Sequence, residues 1–218
     1  MSLHDLIGPQ PLQPIELSRA LGPDGVKRLL ELIRDAYFDL VQSRKINRSM
    51  DENQITEELC IHIQKCQRLS GILPSVYVIH EKQDRTQAKN TGKAPTVDFC
   101  FRGEWRDDVY FGAECKIVEA DNKKLCEEFV SNGVMRYVAG KYGQAFQEGA
   151  MLGYIRSTEC EAVAAELRTR MEQLDGSPSL HRSDLLLPFQ DYHTSCHQRV
   201  VGITPLFTIH HLLFLFAT

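Results

Sequence analysis

Asp98 is followed, after fifteen intervening residues, by Glu114-Cys115-Lys116. The stretches that carry them, "PTVDFCF" and "DVYFGAECKIV", are otherwise mostly apolar. Charged side chains are rarely kept in such surroundings without a partner or a task. Two carboxylates held close together repel, and each then resists ionising. A divalent cation removes that conflict, and hard oxygen ligands favour magnesium or manganese. A lysine beside them adds positive charge without a metal-binding atom. Glu52 is expected to join the group: it lies three before Ile55 and seven before Leu59, on one helical stripe. Glu57 lies away from that stripe and Glu58 only borders it. An inward glutamate in the first turn of a core helix is costly unless it is paired or liganded.

Strands and helices must bring these residues together. Side chains alternate along a strand, so Val97, Phe99 and Phe101 are expected on one face and Asp98 on the other. By the same rule Phe111, Ala113, Cys115 and Ile117 share a face, which leaves Gly112, Glu114 and Lys116 opposite. A hairpin across Arg102–Asp107, paired in register, puts Asp98 with Glu114 and Lys116. Helical period runs through Val26, Leu29, Leu30, Ile33, Tyr37, Leu40 and Val41,. It returns in "SMDENQITEELCIHIQKC", with Ser49 or Asp51 as N-cap and Ile55, Leu59, Ile63 and Cys66 as the stripe,. "SVYVIH" reads as a strand, followed by a basic polar loop over 81–94. In "NKKLCEEFVSNGVMRYVAG" Leu125, Phe129, Gly133 and Tyr137 share a face and Gly140 suits a C-cap,. Gly149 and Gly153, four apart, would let a helix lie close to the sheet. "ECEAVAAELRTRMEQL" is a further helix, and "RVVGI" and "LFTIHHLLFLF" are expected strands. The whole predicts an α/β domain with a mixed sheet, residues 1–48 forming an arm and helical extension and 49–218 the main unit.

Asp98 with Glu114-Cys115-Lys116 resembles the PD-(D/E)XK signature of the restriction-endonuclease-like nuclease superfamily. The run of elements from Met50 to Ile155 is similar to that superfamily's αβββαβ core, a central mixed sheet flanked by helices. "PTVD" departs from the family's Pro-Asp pair, since Pro95 stands three before Asp98. Glu114-Cys115-Lys116 is the only E-x-K in the chain; the competing Asp121-Asn122-Lys123 sits at a helix start, where aspartate is an ordinary cap,. The resemblance implies magnesium- or manganese-dependent hydrolysis of phosphodiester bonds. It makes Asp98, Glu114 and Lys116 catalytic, and Glu52, Asp98, Glu114 and the Cys115 carbonyl metal ligands. DNA is the expected substrate, with RNA as the other polynucleotide such chemistry cuts. An endonuclease of restriction or phage defence is the implied setting, its specificity drawn from loops, a homodimer or a partner subunit. The alternative is a non-catalytic nucleic-acid-binding or assembly subunit that kept the fold, and the plainest reading of the three charges is a surface salt bridge.

Twenty-five Lys and Arg against twenty-nine Asp and Glu give a net charge of −4, which disfavours nonspecific coating of a polyanion. Phosphate contacts therefore have to be local, with Lys89, Lys93, Lys123, Arg136 and Lys141 as candidates. Seven cysteines without C-x-x-C spacing argue against a disulfide framework and for a reducing cytoplasm,. No run is long enough for a membrane helix, and "MSLHDLIGPQ" shows no secretion leader,. "YHTSCHQR" offers His193, Cys196 and His197, with His210 and His211 following, as zinc donors. It lacks the C-x-x-C half of structural sites, and is read instead as a polar loop whose Ser195 or His197 touches substrate.

Overall fold

The computed structural model describes residue 21 and residues 24–84, 94–103, 109–141, 143–156, 159–176, 178–199, 201–202 and 205–216. The expected N-terminal arm, and the loop holding Lys89 and Lys93, lie outside the described residues. Helix α1 spans Gly25–Ser43. Helix α2, Glu52–Ser70, starts at the N-cap Asp51, whose side chain accepts from the Gln54 backbone N–H while the Gln54 side chain accepts from its own. This capping box fixes the helix start and makes Glu52 the first helical residue. Strands β1 Val76–Gln83, β2 Thr96–Gly103 and β3 Tyr110–Ile117 follow. Then come α3 Lys123–Phe129, a π-helical turn Val130–Val134 and α4 Met135–Val138. Strand β4 is Glu148–Ile155, α5 is Cys160–Met171, and β5 His181–Arg182, β6 Tyr192–Gln198 and β7 Leu206–Leu215 complete the sheet.

These seven strands form one mixed sheet in the order β1-β2-β3-β4-β7-β6-β5. β1, β2 and β3 pair antiparallel, β3–β4 and β4–β7 pair parallel, and β7–β6 and β6–β5 pair antiparallel. The expected run of helix, three strands, helix and strand is therefore present from Glu52 to Ile155, in an α/β architecture with helices on both faces. One core layer joins α1 and α2 to Phe99, Phe101, Phe111, Ala113 and Cys115. Tyr37 of α1 stacks on Phe214 at 4.2 Å and donates to the Leu215 carbonyl, so α1 shares the core of the sheet. The other layer lies under α3, the π turn, α4 and α5, with Phe129, Tyr137, Val163 and Leu167 against Met151, Phe207 and Ile209.

Several local expectations need correction. Val41, placed on the inward stripe of α1, is 41% exposed. β1 runs on to Gln83, so residues 81–83 belong to the strand and not to the loop. Val97 belongs to the layer of Cys100, opposite Phe99 and Phe101; strict alternation fails where Glu81, at φ 52°, stands across from Asp98. Asn122, not Asp121, caps α3 by accepting from the Leu125 N–H. "YHTSCHQR" is not a loop but strand β6, and the described part of "RVVGI" (Arg199, Val201, Gly202) forms the connection to β7. Ser195 and His197 of β6 can lie inside the sheet because the Ser195 hydroxyl bonds both His197 and His211.

Gly149 and Gly153 face the α3–α4 layer from β4. A Cβ on Gly149 would stand 2.8 Å from the Tyr137 ring, and one on Gly153 2.7 Å from Leu213, 2.9 Å from Val118 and 3.5 Å from Phe129. The stretch expected to lie on the sheet as a helix through these glycines is thus itself a central strand, and only Gly149 makes close room for α4, at Tyr137. Gly153→Val is expected to cost about 2 kcal/mol through overpacking, measured by urea unfolding. An unchanged midpoint would show that this layer is not seated on β4.

Candidate functional site

Glu52, Asp98, Glu114 and Lys116 meet around one atom, the Lys116 Nζ. Glu52 Oε1 lies 2.7 Å from it, Glu114 Oε1 3.3 Å and Asp98 Oδ2 3.8 Å. The ammonium also donates to the Cys115 carbonyl at 2.6 Å. The backbone of β3 fixes two of the carboxylates: the Cys115 N–H donates to Asp98 Oδ2 at 2.6 Å, and the Ile117 N–H to Glu52 Oε2 at 3.0 Å. Glu52 can reach because the capping box sets it in the first turn of α2. Asp98 can reach because it stands one residue beyond the last β2–β3 pair, Phe99 against Ala113, where its side chain takes the Cys115 N–H. Cys115 points the other way, fully buried in the α1–α2 layer, where burial pushes its thiol well up. It contributes a carbonyl to the site and no thiol.

Glu114 has no exposed surface, and Arg136 Nη1 donates to its Oε1 at 2.7 Å. The sequence offers Arg136 as a phosphate contact; in the fold it reaches Glu114 from α4. No sequence signal marks that contact, because it depends on the π turn before α4. Lys123 and Lys141 are exposed, at the start of α3 and just after α4.

Electrostatics follow burial. Loss of water raises the Asp98 carboxyl above its ordinary value, against the pull of Lys116 and the Cys115 N–H,. A raised folded value means that Asp98 adds stability in acid, and that this contribution is lost as pH rises through the folded value. For Lys116, burial alone would lower the ammonium, but Glu114, Asp98 and Glu52 together hold it above the ordinary lysine value. Its stabilising contribution is therefore intact below that value and lost in strong alkali.

The donor set, three carboxylates and a backbone carbonyl, suits a hard divalent cation in chemistry. With all groups ionised, Glu52, Asp98 and Glu114 exceed Lys116 and Arg136 by one negative charge. In the arrangement observed, however, no group of three or more His, Cys, Asp or Glu among the described residues converges closely enough to hold an ion. The Lys116 ammonium sits where the carboxylates meet.

A second polar cluster is unforeseen in extent. On β6 and β7 the pairs His193–His211, Ser195–Ile209 and His197–Phe207 face α4 and α5. Ser195 Oγ lies 2.8 Å from both His197 Nε2 and His211 Nε2. Burial lowers His193 and His197 to about 4, and lowers His211 well below its ordinary value. Cys196 is exposed whereas His193 and His197 are buried, and among the described residues the three do not form a group able to hold zinc. His197 does line a cleft of about 760 Å³ with Met135, Val138, Leu174, Cys196 and Leu206; Glu52, Asp98, Glu114 and Lys116 do not border it. On the far side of the sheet His210 bridges the Tyr192 hydroxyl, 2.6 Å from Nδ1, and Glu148, 2.8 Å from Nε2.

Comparison with protein-family models, with curated proteins and with solved structures returns no match to this chain. The fold and the site accordingly define an α/β protein with a lysine-centred carboxylate cluster at the β2–β3 hairpin. No helix among the described residues is long and apolar enough to cross a membrane.

Proposed function

We propose that the chain is a metal-dependent nuclease of the PD-(D/E)XK type that hydrolyses phosphodiester bonds of DNA. The observation that carries this reading is the convergence of Glu52, Asp98 and Glu114, from three separate elements, on Lys116 Nζ. The element order from Glu52 to Ile155 supports a restriction-endonuclease-like core. Glu52, Asp98, Glu114 and the Cys115 carbonyl would hold magnesium or manganese. The ion would supply Lewis acidity to the phosphodiester and offset the charge that develops on it. Lys116 adds positive charge beside the attacked phosphorus, and Glu52 and the Cys115 carbonyl orient its ammonium. The Cys115 N–H holds Asp98 in place from the β3 backbone. By analogy with small stand-alone nucleases of the superfamily, the setting is restriction or phage defence.

The second reading is a non-catalytic nucleic-acid-binding or assembly subunit. It is favoured by the contacts that already occupy Glu114, with Arg136 at 2.7 Å and Lys116 at 3.3 Å. Incubation of purified protein with circular and linear DNA, with and without magnesium, separates the two. Magnesium-dependent nicking of the circle, lost in Asp98→Ala and Glu114→Ala, is the expected result. Full activity in Glu114→Ala would remove the catalytic assignment. DNA binding without cleavage, and no heat of magnesium binding, would leave the second reading standing.

A further inference from the structure

We propose that the cleft between α4, the end of β6 and the segment after α5 takes a neutral, largely apolar small molecule whose carbonyl oxygen accepts from His197 Nδ1–H. The site is separate from the carboxylate cluster and does not rest on the nuclease reading. β5 pairs with β6 only at His193 and Thr194, so among the described residues the rest of β6 has no strand on that edge. The cleft opens there, walled by Met135 and Val138 of α4, Leu174, Leu206 of β7, and Cys196 and His197 of β6. Its volume, about 760 Å³, lies within the range of small-molecule sites. Leu206 is 54% exposed, apolar surface that a ligand would take out of water. Asp175 is the one charged residue on the wall among the described residues, which disfavours an anion.

A chain of buried hydrogen bonds sets the polarity of the site. His211 is buried and held neutral by loss of water, so it carries one ring proton. Its Nδ1 has no hydrogen-bond partner among the described residues, whereas its Nε2 lies 2.8 Å from Ser195 Oγ. Orphaned buried N–H groups are rare, so the proton belongs on Nε2, which donates to Ser195. The Ser195 hydroxyl then donates its single hydrogen to His197 Nε2, at 2.8 Å. Burial lowers His197 to about 4, so near pH 7 it too is neutral, and its one proton stands on Nδ1. That nitrogen takes no partner from the described residues, and His197 borders the cleft. A lone donor on an apolar wall orients a ligand through an oxygen acceptor.

Two fluorescent probes test this with the full chain: propionyl-dimethylaminonaphthalene, a neutral ketone, and dimethylaminonaphthalene, the same ring system without the carbonyl. The ketone is expected to saturate one site and to bind about fivefold more tightly than the second probe, the worth of one hydrogen bond. At about ten times its dissociation constant it should slow alkylation of the exposed Cys196 by iodoacetamide about tenfold, by mass action,. Cys66, partly exposed in the α1–α2 layer, should react at its usual rate; peptide masses read both. His197→Gln keeps a group for Ser195 at the Nε2 position and removes the Nδ1 donor, so it should bind the two probes equally. His197→Asn keeps an N–H near the Nδ1 position and should still prefer the ketone. No binding, or equal binding of the two probes, by the wild type overturns the proposal. So do an unchanged preference in His197→Gln and equal protection of Cys66. Tighter binding of a naphthalene carboxylate than of the ketone overturns the neutral class. The wild-type comparison decides even where the variants fail to fold.

Discussion

Lys116→Met is expected to slow phosphodiester cleavage on the order of 10³-fold and to cost about 3 kcal/mol of stability. Both effects have one origin. The ammonium is the positive charge shared by Glu52, Asp98 and Glu114, and Glu114 is wholly buried. Methionine keeps the length and apolar stem but leaves these carboxylates facing one another, a state that buried charges resist. Arg136 stays on Glu114 and softens the loss, so the cost belongs at the low end for a broken buried pair. A hard cation bound only by the folded chain adds stability by mass action. Magnesium should therefore recover part of the lost melting temperature without restoring cleavage. Cleavage rates and thermal melts with and without magnesium measure both. Unchanged cleavage in Lys116→Met would refute the catalytic role; unchanged stability would show that the carboxylates do not depend on the ammonium.

The second large effect is independent of any catalytic reading. Stability should fall steeply as pH drops from about 6.5 towards about 4, because His193 and His197 are held near 4 by burial and His211 lower than ordinary too. The sign follows from proton counting. Below the ordinary histidine value the unfolded chain binds protons that the folded chain refuses, so acid favours unfolding. His193 and His197 together amount to about 3.5 kcal/mol between pH 7 and pH 5, a large share of the stability of many domains, and His211 adds in the same direction,. Asp98 and Asp191, both raised by burial, act in the opposite direction, but their ordinary range lies below that of histidine. Urea unfolding at about pH 7 and pH 5 reads the difference. His193→Gln should flatten the dependence by roughly one proton's worth, since its Nδ1 has no hydrogen-bond partner among the described residues. A pH-independent midpoint would mean that the histidines are hydrated or charged in the folded protein.

The carboxylate cluster was legible where local chemistry and chain spacing sufficed. Period-two alternation separates Glu114 and Lys116 from Cys115, and helical period puts Glu52 inward; each residue stands on the face expected. Val97 was not legible, because the irregularity that turns it comes from Glu81 on the neighbouring strand. The β6 strand was misread for a related reason. Its hydroxyl and imidazole groups look like loop residues until β7 supplies the His211 imidazole to Ser195 from sixteen positions away.

By itself, then, the sequence determined the α/β order of the first elements, the start of α2 to within a turn and the four residues that cluster, since propensity, periodicity and side-chain volume are local properties. The tertiary structure alone decided that Lys116, rather than the midpoint between carboxylates, marks the centre of the cluster. It also decided that Arg136 answers Glu114, and that three histidines lie buried beneath α4 and α5. Those outcomes depend on strand order and on a π turn, which set distances across the fold that no spacing along the chain encodes.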